Sequence, residues 1–242
     1  MDLTRSITVF DPEMLKEDVH IIGAGATGSF VIQTLARFGV KKMHIYDMDV
    51  IEKHNISNQN FALSDCGKLK ITATAEYCRA INPEIEIVEH PMFVEPKDIE
   101  EMSGYVFVLV DTMKSRKELF QAIKSNPKIK WYWESRLGSD QARVYSLPIG
   151  EDINYFTYED KHFYSDDQAE VSACGTSITI VSIVQGIVSL MVNQFIKVVM
   201  ERRNAEPYLN HYTLFDSMFN VYVENFHTTA QVKTEVVDEI IM

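Results

Sequence analysis

The chain has 242 residues, 46% of them hydrophobic, enough to bury one large core or two small ones. Its 35 acidic residues outweigh 23 basic ones for a net charge of −12, and the basic residues form no long run, so a nucleic-acid partner is not expected. Three cysteines, Cys66, Cys78 and Cys174, have no C-x-x-C spacing, which argues against a disulfide framework and against a structural zinc built from cysteine pairs. The opening residues, Met-Asp-Leu-Thr-Arg, lack the charged and apolar regions of a signal peptide, so a reducing, cytoplasmic setting is expected.

Residues 1–18 form a short amphipathic leader that carries Arg5. The apolar, β-branched run 19–22 predicts a buried strand. Gly23, Gly25 and Gly28 follow in G-x-G-x-x-G spacing. The first permits a tight turn, the second lets backbone approach a phosphate, and the third lets a helix pack on the strand. Phe30, Val31, Leu35 and Phe38 recur at helical spacing over 29–38, and Gly39 ends that helix. Its N-terminus aims free N–H groups at an anion. Residues 42–46 predict a second strand. Asp47 stands at its end, about 20 residues past the last glycine, where a carboxylate accepts hydrogen bonds from a ribose.

The polar segment 50–63 predicts a loop bordering the ligand crevice, and 64–80 a helix with Lys68 and Lys70 in its first turn. That is an electrostatically odd place for cations. Asn82-Pro83 breaks it; 84–89 alternates acids with β-branched residues as a strand with one wet face, and 98–103 is a short helix or turn. The continuous apolar run 105–110 predicts a fully buried parallel strand ending at Asp111, either an oxygen ligand for Mg²⁺ or the N-cap of the helix at 117–125. Arg116 precedes that helix. Strands are expected at 129–135 and 141–148, the first rich in aromatic core residues; Glu134, Arg136 and Arg143 sit there with nothing local to select them. The acidic, aromatic segment 151–170 predicts a crossover loop. The uncharged run 171–196 is long enough for a membrane span, but its many Ser, Thr, Gln and Asn residues favour a buried core helix, so no membrane partner is expected. Cys174 stands near its start, where a helix N-terminus would stabilise a thiolate; packing is the other use of such a thiol. Over 207–242, with apolar stretches at 214–215, 218–223 and 232–242, short strands or a small subdomain are expected.

The succession Asp47-Met48-Asp49-Val50, His54-Asn55-Ile56-Ser57-Asn58-Gln59 and Gly67-Lys68-Leu69-Lys70, followed by Asp111-Thr112 and Arg116, resembles the ThiF/MoeB/HesA family of ubiquitin-activating-type adenylating enzymes, in a short phage or bacterial form. That family shows an Asp-x-Asp-x-Val strand end, a Ser-Asn-Leu-Asn-Arg-Gln segment, a Gly-x-x-Lys before a helix, and Asp-Asn followed by arginine. The glycine triplet alone is a weak signal; the combination is specific. It covers about 14–116 closely and about 174–197 loosely.

The resemblance implies an α/β fold: a Rossmann-like, doubly wound, mostly parallel sheet with a C-terminal crossover region and small added strands. It implies one domain over 1–242, with an ATP-binding half at about 14–125 and a partner-binding half at about 126–242. The implied cofactors are ATP and Mg²⁺, and the implied partner is the C-terminus of a small ubiquitin-like protein or peptide. Gly23, Gly25, Gly28, Asp47, Asp49, Asn55, Asn58, Gln59, Lys70 and Arg116 then bind the nucleotide, and Asp111 holds the metal. Lys70 and Asp111 serve catalysis, with Arg5 supplied across a homodimer and Cys174 able to bond to the partner's C-terminus. Asn55 and Asn58 also suit turns, and Arg5 and Arg116 also suit solvated positions. Asn58 replaces the family arginine: it donates hydrogen bonds but brings no charge to a phosphate.

Three readings result. An ATP-dependent adenylyltransferase accounts for all these motifs. An NAD-dependent oxidoreductase accounts for the glycines and Asp47 but not for Asn55, Gln59, Lys70 and Asp111 together. A non-catalytic nucleotide-binding subunit is favoured by Asn58.

Overall fold

A computed structural model describes residues 1–150, 155–163, 179–200, 212–216 and 221–224. Among the described residues, eight strands form one sheet: β1 (Val19–Ile22), β2 (Lys42–Tyr46), β3 (Glu86–His90), β4 (Gly104–Val108), β5 (Ile129–Leu137), β6 (Gln141–Pro148), β7 (Tyr212–Asp216) and β8 (Val221–Glu224). Their order is β3-β2-β1-β4-β5-β6-β7-β8. The first five in that order pair in parallel and the last three add antiparallel. The expected doubly wound sheet with added strands is therefore observed.

Among the described residues, five helices cover the sheet: α1 (Ala26–Arg37), α2 (Lys70–Ile81), α3 (Met113–Lys124), α4 (Phe156–Lys161) and α5 (Val181–Val199). On one face, the apolar stripes of α1, α2 and α5 close over Val19, Ile21, Met43, Ile45, Phe107 and Trp133. The stripe of α5 runs through Ile183, Val184, Ile187, Val188, Met191 and Phe195. Its length and hydropathy would suit a bilayer, yet those side chains lie in the core beside α1 and β6.

On the other face, α3, α4 and a 3-10 turn at Pro96–Glu101 cover Ile22, Val106, Val108, Tyr132 and Tyr145. Toward β3 this face carries a ladder of stacked rings. His20 lies 4.7 Å from His44, His44 5.5 Å from His90, and Tyr46 4.2 Å from His90, centroid to centroid. His20 Nδ1 meets the Tyr46 hydroxyl at 2.9 Å, and His44 Nδ1 meets His90 Nε2 at 3.2 Å. Burial, reinforced by His44, holds His20 down at about 4, and burial also lowers His44 and His90.

Several boundaries differ from expectation. The helix expected from residue 64 starts at Lys70. Leu63–Asp65 instead forms a 3-10 turn, and Gly67 turns the chain at φ +93°, a conformation open to glycine. Lys68 thus precedes the helix, pairing with Asp65 (3.4 Å) and Glu76 (2.6 Å). The loop 50–63 contains a further 3-10 turn, Lys53–Ser57. Within the expected crossover loop, Tyr155, Tyr158 and Phe163 pack α4 onto the sheet. The strand expected to reach residue 110 stops at Val108, α3 starts earlier than residue 117, and β5 continues to Leu137. Cys174, the helix start expected at 171 and the strand expected at 232–242 lie outside the described residues.

Candidate functional site

Strand order reverses between β1 and β4, and a doubly wound sheet opens its ligand crevice at the carboxyl ends of such a pair. The glycine loop leaves β1 there. Gly23 adopts φ +100°, and a Cβ on it would lie 2.6 Å from the Leu109 carbonyl oxygen. A Cβ on Gly28 would sit 1.9 Å from the Gly23 carbonyl oxygen, so α1 packs directly on the turn. Gly25 differs. It is the N-cap of α1, offers no side-chain cap, and a Cβ there would meet nothing within 4 Å. The space above it is an open cradle facing the unpaired N–H groups of the first helical turn, which suits a phosphate.

Asp47 fixes this loop from the end of β2. Its Oδ2 accepts from Ala24 N and its Oδ1 from Asp49 N, both at 2.8 Å. Burial raises its pKa, opposed by those two N–H groups and by Lys70. Two residues on, Asp49 Oδ2 accepts from Lys70 Nζ at 2.7 Å. Lys70 is only 7% exposed whereas the Asp49 side chain is 55% exposed. A pair with one partner in water contributes little, so exchanging Asp49 for a phosphate oxygen costs little. The Lys70 backbone also donates to Asp49 O, which places the ammonium at the start of α2 beside the glycine loop.

The segment between Asp49 and Lys70 is closed at its base by a Val50–Leu69 bridge and clamped to α1. Asn60 N donates to Ser29 Oγ (3.0 Å), Gln33 Nε2 donates to Asn60 O (3.3 Å), and Asn60 Nδ2 donates back to Gln33 Oε1. Asn55 is buried and serves the turn, its Oδ1 accepting from Glu52 N at 2.9 Å. Asn58 ends the same turn. Gln59 Oε1 is buried without a hydrogen-bond partner in the structure, a polar atom left for a bound group. The Gly25 cradle and this orphaned oxygen fit a nucleotide.

Asp111 follows β4 on the opposite wall. Its carboxylate is exposed and is not spent on capping: Thr112 is the N-cap of α3, its hydroxyl accepting from Ser115 N at 3.2 Å. A lone carboxylate with phosphate oxygens suits Mg²⁺. Among the described residues, no group of three or more His, Cys, Asp or Glu is placed to hold a metal ion. Arg116 is 7% exposed and engaged inside the protein, so it is not a solvated helix residue. Arg5 is exposed in the N-terminal turn. Leu3, two residues earlier, packs against Gly39 beyond the C-terminal end of α1. A helix of 12 residues spans ~18 Å, so this segment and the glycine loop lie at opposite ends of α1. Hydrogen bonds link Asp47, Asp49 and Lys70 to the glycine loop. Asn55, Asn58 and Gln59 belong to the segment clamped to α1 through Asn60, Asp111 follows β4 at the same end of the sheet, and Arg5 lies toward the other end of α1.

Sequence reasoning did not select Glu134. It is fully buried, with Oε1 accepting from Arg116 Nη1 at 3.0 Å and from Arg136 Nε, and Oε2 accepting from the hydroxyls of Tyr132 (2.6 Å) and Tyr158. Burial alone would raise its pKa; the two guanidiniums overcome that and hold it down at about 2. A readable signal existed: an acid and a base two residues apart on one face of a strand buried on both sides.

A model of the ThiF family matches residues 11–236. Among curated proteins, tRNA threonylcarbamoyladenosine dehydratase of Haemophilus influenzae is 34% identical over 113 residues, 45% of this chain and 43% of that protein. Ubiquitin-like modifier-activating enzyme 5 of Drosophila simulans is 34% identical over 91 residues, 37% of this chain and 22% of that protein. Among solved structures, E. coli MccB with AMPCPP and MccA superposes with a TM-score of 0.70 at 18% identity, covering 88% of this chain and 65% of that one. E. coli MccB with ATP gives 0.65 at 19%, covering 88% and 65%. The chain spans less than half the length of these two curated relatives, and likeness to the solved structures at such identity shows the fold alone.

Proposed function

Since this chain belongs to the ThiF family, we propose that it is an ATP-dependent adenylyltransferase acting on the C-terminal carboxylate of a small ubiquitin-like protein or peptide. The observation that carries the reading is the open space above Gly25 at the N-terminus of α1, at the sheet end where the segments after β2 and β4 also bring Lys70 and Asp111. The substrate carboxylate attacks the α-phosphorus of ATP, a P–O bond to the β,γ-phosphates breaks, and acyl-adenylate and pyrophosphate result. The protein's part is to position the reactants and to neutralise phosphate charge. The α1 N-terminus receives phosphate oxygens, Lys70 leaves Asp49 for one of them, and Asp47 holds the loop in register. Asp111 would hold Mg²⁺, which shields the phosphate charges when bound.

The reading includes a homodimer. Arg5 lies away from its own crevice, and a two-fold axis would offer it to the neighbour's. Cys174 would accept the acyl group after adenylation if the reaction continues to a covalent adduct. The nicotinamide reading leaves Lys70, Asp111 and the clamped segment without a task. The non-catalytic reading keeps one argument, the uncharged Asn58. ATP-dependent exchange of labelled pyrophosphate, run with candidate C-terminal peptides, tests the proposal. Exchange that depends on peptide and ATP supports it. Stabilisation by ATP without exchange for any peptide favours the binding subunit, and a larger melting shift with NAD than with ATP–Mg²⁺ overturns the nucleotide assignment.

A further inference from the structure

Arg116 occupies the first turns of α3, where a cation is opposed by the helix dipole. It is nevertheless buried, and its guanidinium straps two strand ends: Nη2 donates to Val110 O, just beyond β4, and Nη1 donates to Ser135 O on β5 as well as to Glu134. Val110 is the residue before Asp111, so the strap fixes the peptide that presents Asp111 to the crevice. Glu134 supplies the buried negative charge that keeps Arg116 there.

The same carboxylate reaches the partner-facing half. Arg136 binds Glu134, donates to His162 O at the end of α4, and lies over the rings of Tyr145 (4.4 Å) and Phe163 (5.2 Å). The Tyr158 hydroxyl from α4 donates to Glu134 and meets the Tyr132 hydroxyl at 3.0 Å. One fully buried side chain thus joins the end of β4, the first turns of α3, β5 and α4.

We infer that Glu134 is a positioning residue: through Arg116 it sets the Val110–Asp111 peptide, and through Arg136 and Tyr158 it couples that peptide to the seating of α4. On this view Arg116 acts on the nucleotide through Asp111 and does not touch phosphate itself. The role assigned to Asp111 rests on the proposed adenylyltransferase reading; the coupling does not.

Glu134→Gln would strand two buried guanidiniums and is expected to compromise folding, so milder variants carry the test. Arg116→Lys keeps the charge but cannot fork to both carbonyls, and Tyr158→Phe removes one hydroxyl from α4. Amide hydrogen exchange is measured on the full chain. In both variants, exchange at the hydrogen-bonded amides of residues 109, 115 and 116, which flank Asp111, should rise about tenfold while residues 23–28 stay unchanged. In Arg116→Lys, residue 162 should exchange faster too. Unchanged exchange at 109, 115 and 116 in either variant overturns the inference, as does a uniform rise across the chain.

Titration with ATP in EDTA and with ATP–Mg²⁺ supplies the second readout. The Arg116→Lys chain should bind metal-free ATP as wild type does but lose about tenfold of the Mg²⁺-dependent gain. Equal loss under both conditions would assign Arg116 to the phosphates and refute the positioning role. If wild type binds no ATP at all, the adenylyltransferase reading falls, while the exchange data still decide the coupling.

Discussion

Gly25 and Gly28 belong to one fingerprint yet face opposite constraints, so the same substitution should break different things. An alanine at Gly28 puts a methyl group 1.9 Å from the Gly23 carbonyl oxygen. That neighbour is backbone and cannot rotate away, and Gly23 is itself held by Tyr46 O and packed on Leu109. Overpacking of this kind costs roughly 3 kcal/mol, the upper end of the usual range. For a chain of this size the melting temperature should fall by about 6–12 °C. An alanine at Gly25 meets nothing within 4 Å. Its cost is the difference between glycine and alanine at an N-cap, about 0.5 kcal/mol, plus whatever an L-residue costs at the ψ of −141° found there. The methyl group enters the cradle, however, and should weaken ATP at least about tenfold, ~1.4 kcal/mol. Differential scanning fluorimetry with and without ATP–Mg²⁺ reads both quantities. The reasoning is refuted if Gly25→Ala keeps its full ATP-induced shift, or if Gly28→Ala melts like wild type.

Mixing complements provide a test of the proposed dimeric site. Arg5→Ala and Lys70→Ala should each lack pyrophosphate exchange, and an equimolar, reassembled mixture should recover about a quarter of wild-type activity, because half the dimers hold one intact site; no recovery would refute a shared site. The imidazole ladder predicts acid sensitivity. With His20 depressed in the folded state, the unfolded chain binds more protons below its own value of about 6.5, so this stabilisation is full above that pH and is lost as pH falls toward about 4. Melting curves across that window should decline, and less steeply for His20→Gln; equal slopes would refute the assignment. For Cys174, the alanine variant should retain pyrophosphate exchange while losing any thiol-sensitive adduct seen by intact mass; an adduct that persists would place the bond elsewhere.

The first βαβ unit was legible because its signals are local. An apolar run, a glycine triplet and a helical period each lie within a few residues, and β1, α1 and β2 appear where they point. The start of α2 was misjudged because a polar segment with helix-forming residues closed instead into a 3-10 turn and a left-handed glycine. Only the structure shows Thr112 capping α3 and leaving Asp111 unspent. Arg116 and Glu134 illustrate the deeper limit. They are 18 positions apart and belong to different layers, so no periodicity relates them. The ring ladder likewise needed strand register: His20 faces His44, and Tyr46 faces His90, only because β1, β2 and β3 pair as they do.

The change from parallel to antiparallel pairing at β5 also sets where this fold can grow. A parallel strand returns only through a crossover of a dozen or more residues, usually a helix, whereas an antiparallel edge lengthens by a tight hairpin such as the one joining β5 to β6, closed by Gly138 N donating to Gln141 O at 2.8 Å. Insertions and grafts are therefore cheapest beyond β6, and β5 is the strand a chimera must keep, because its buried acid and its backbone carbonyl serve both sides. New sequence can be added at that margin while the crevice between β1 and β4 keeps its geometry.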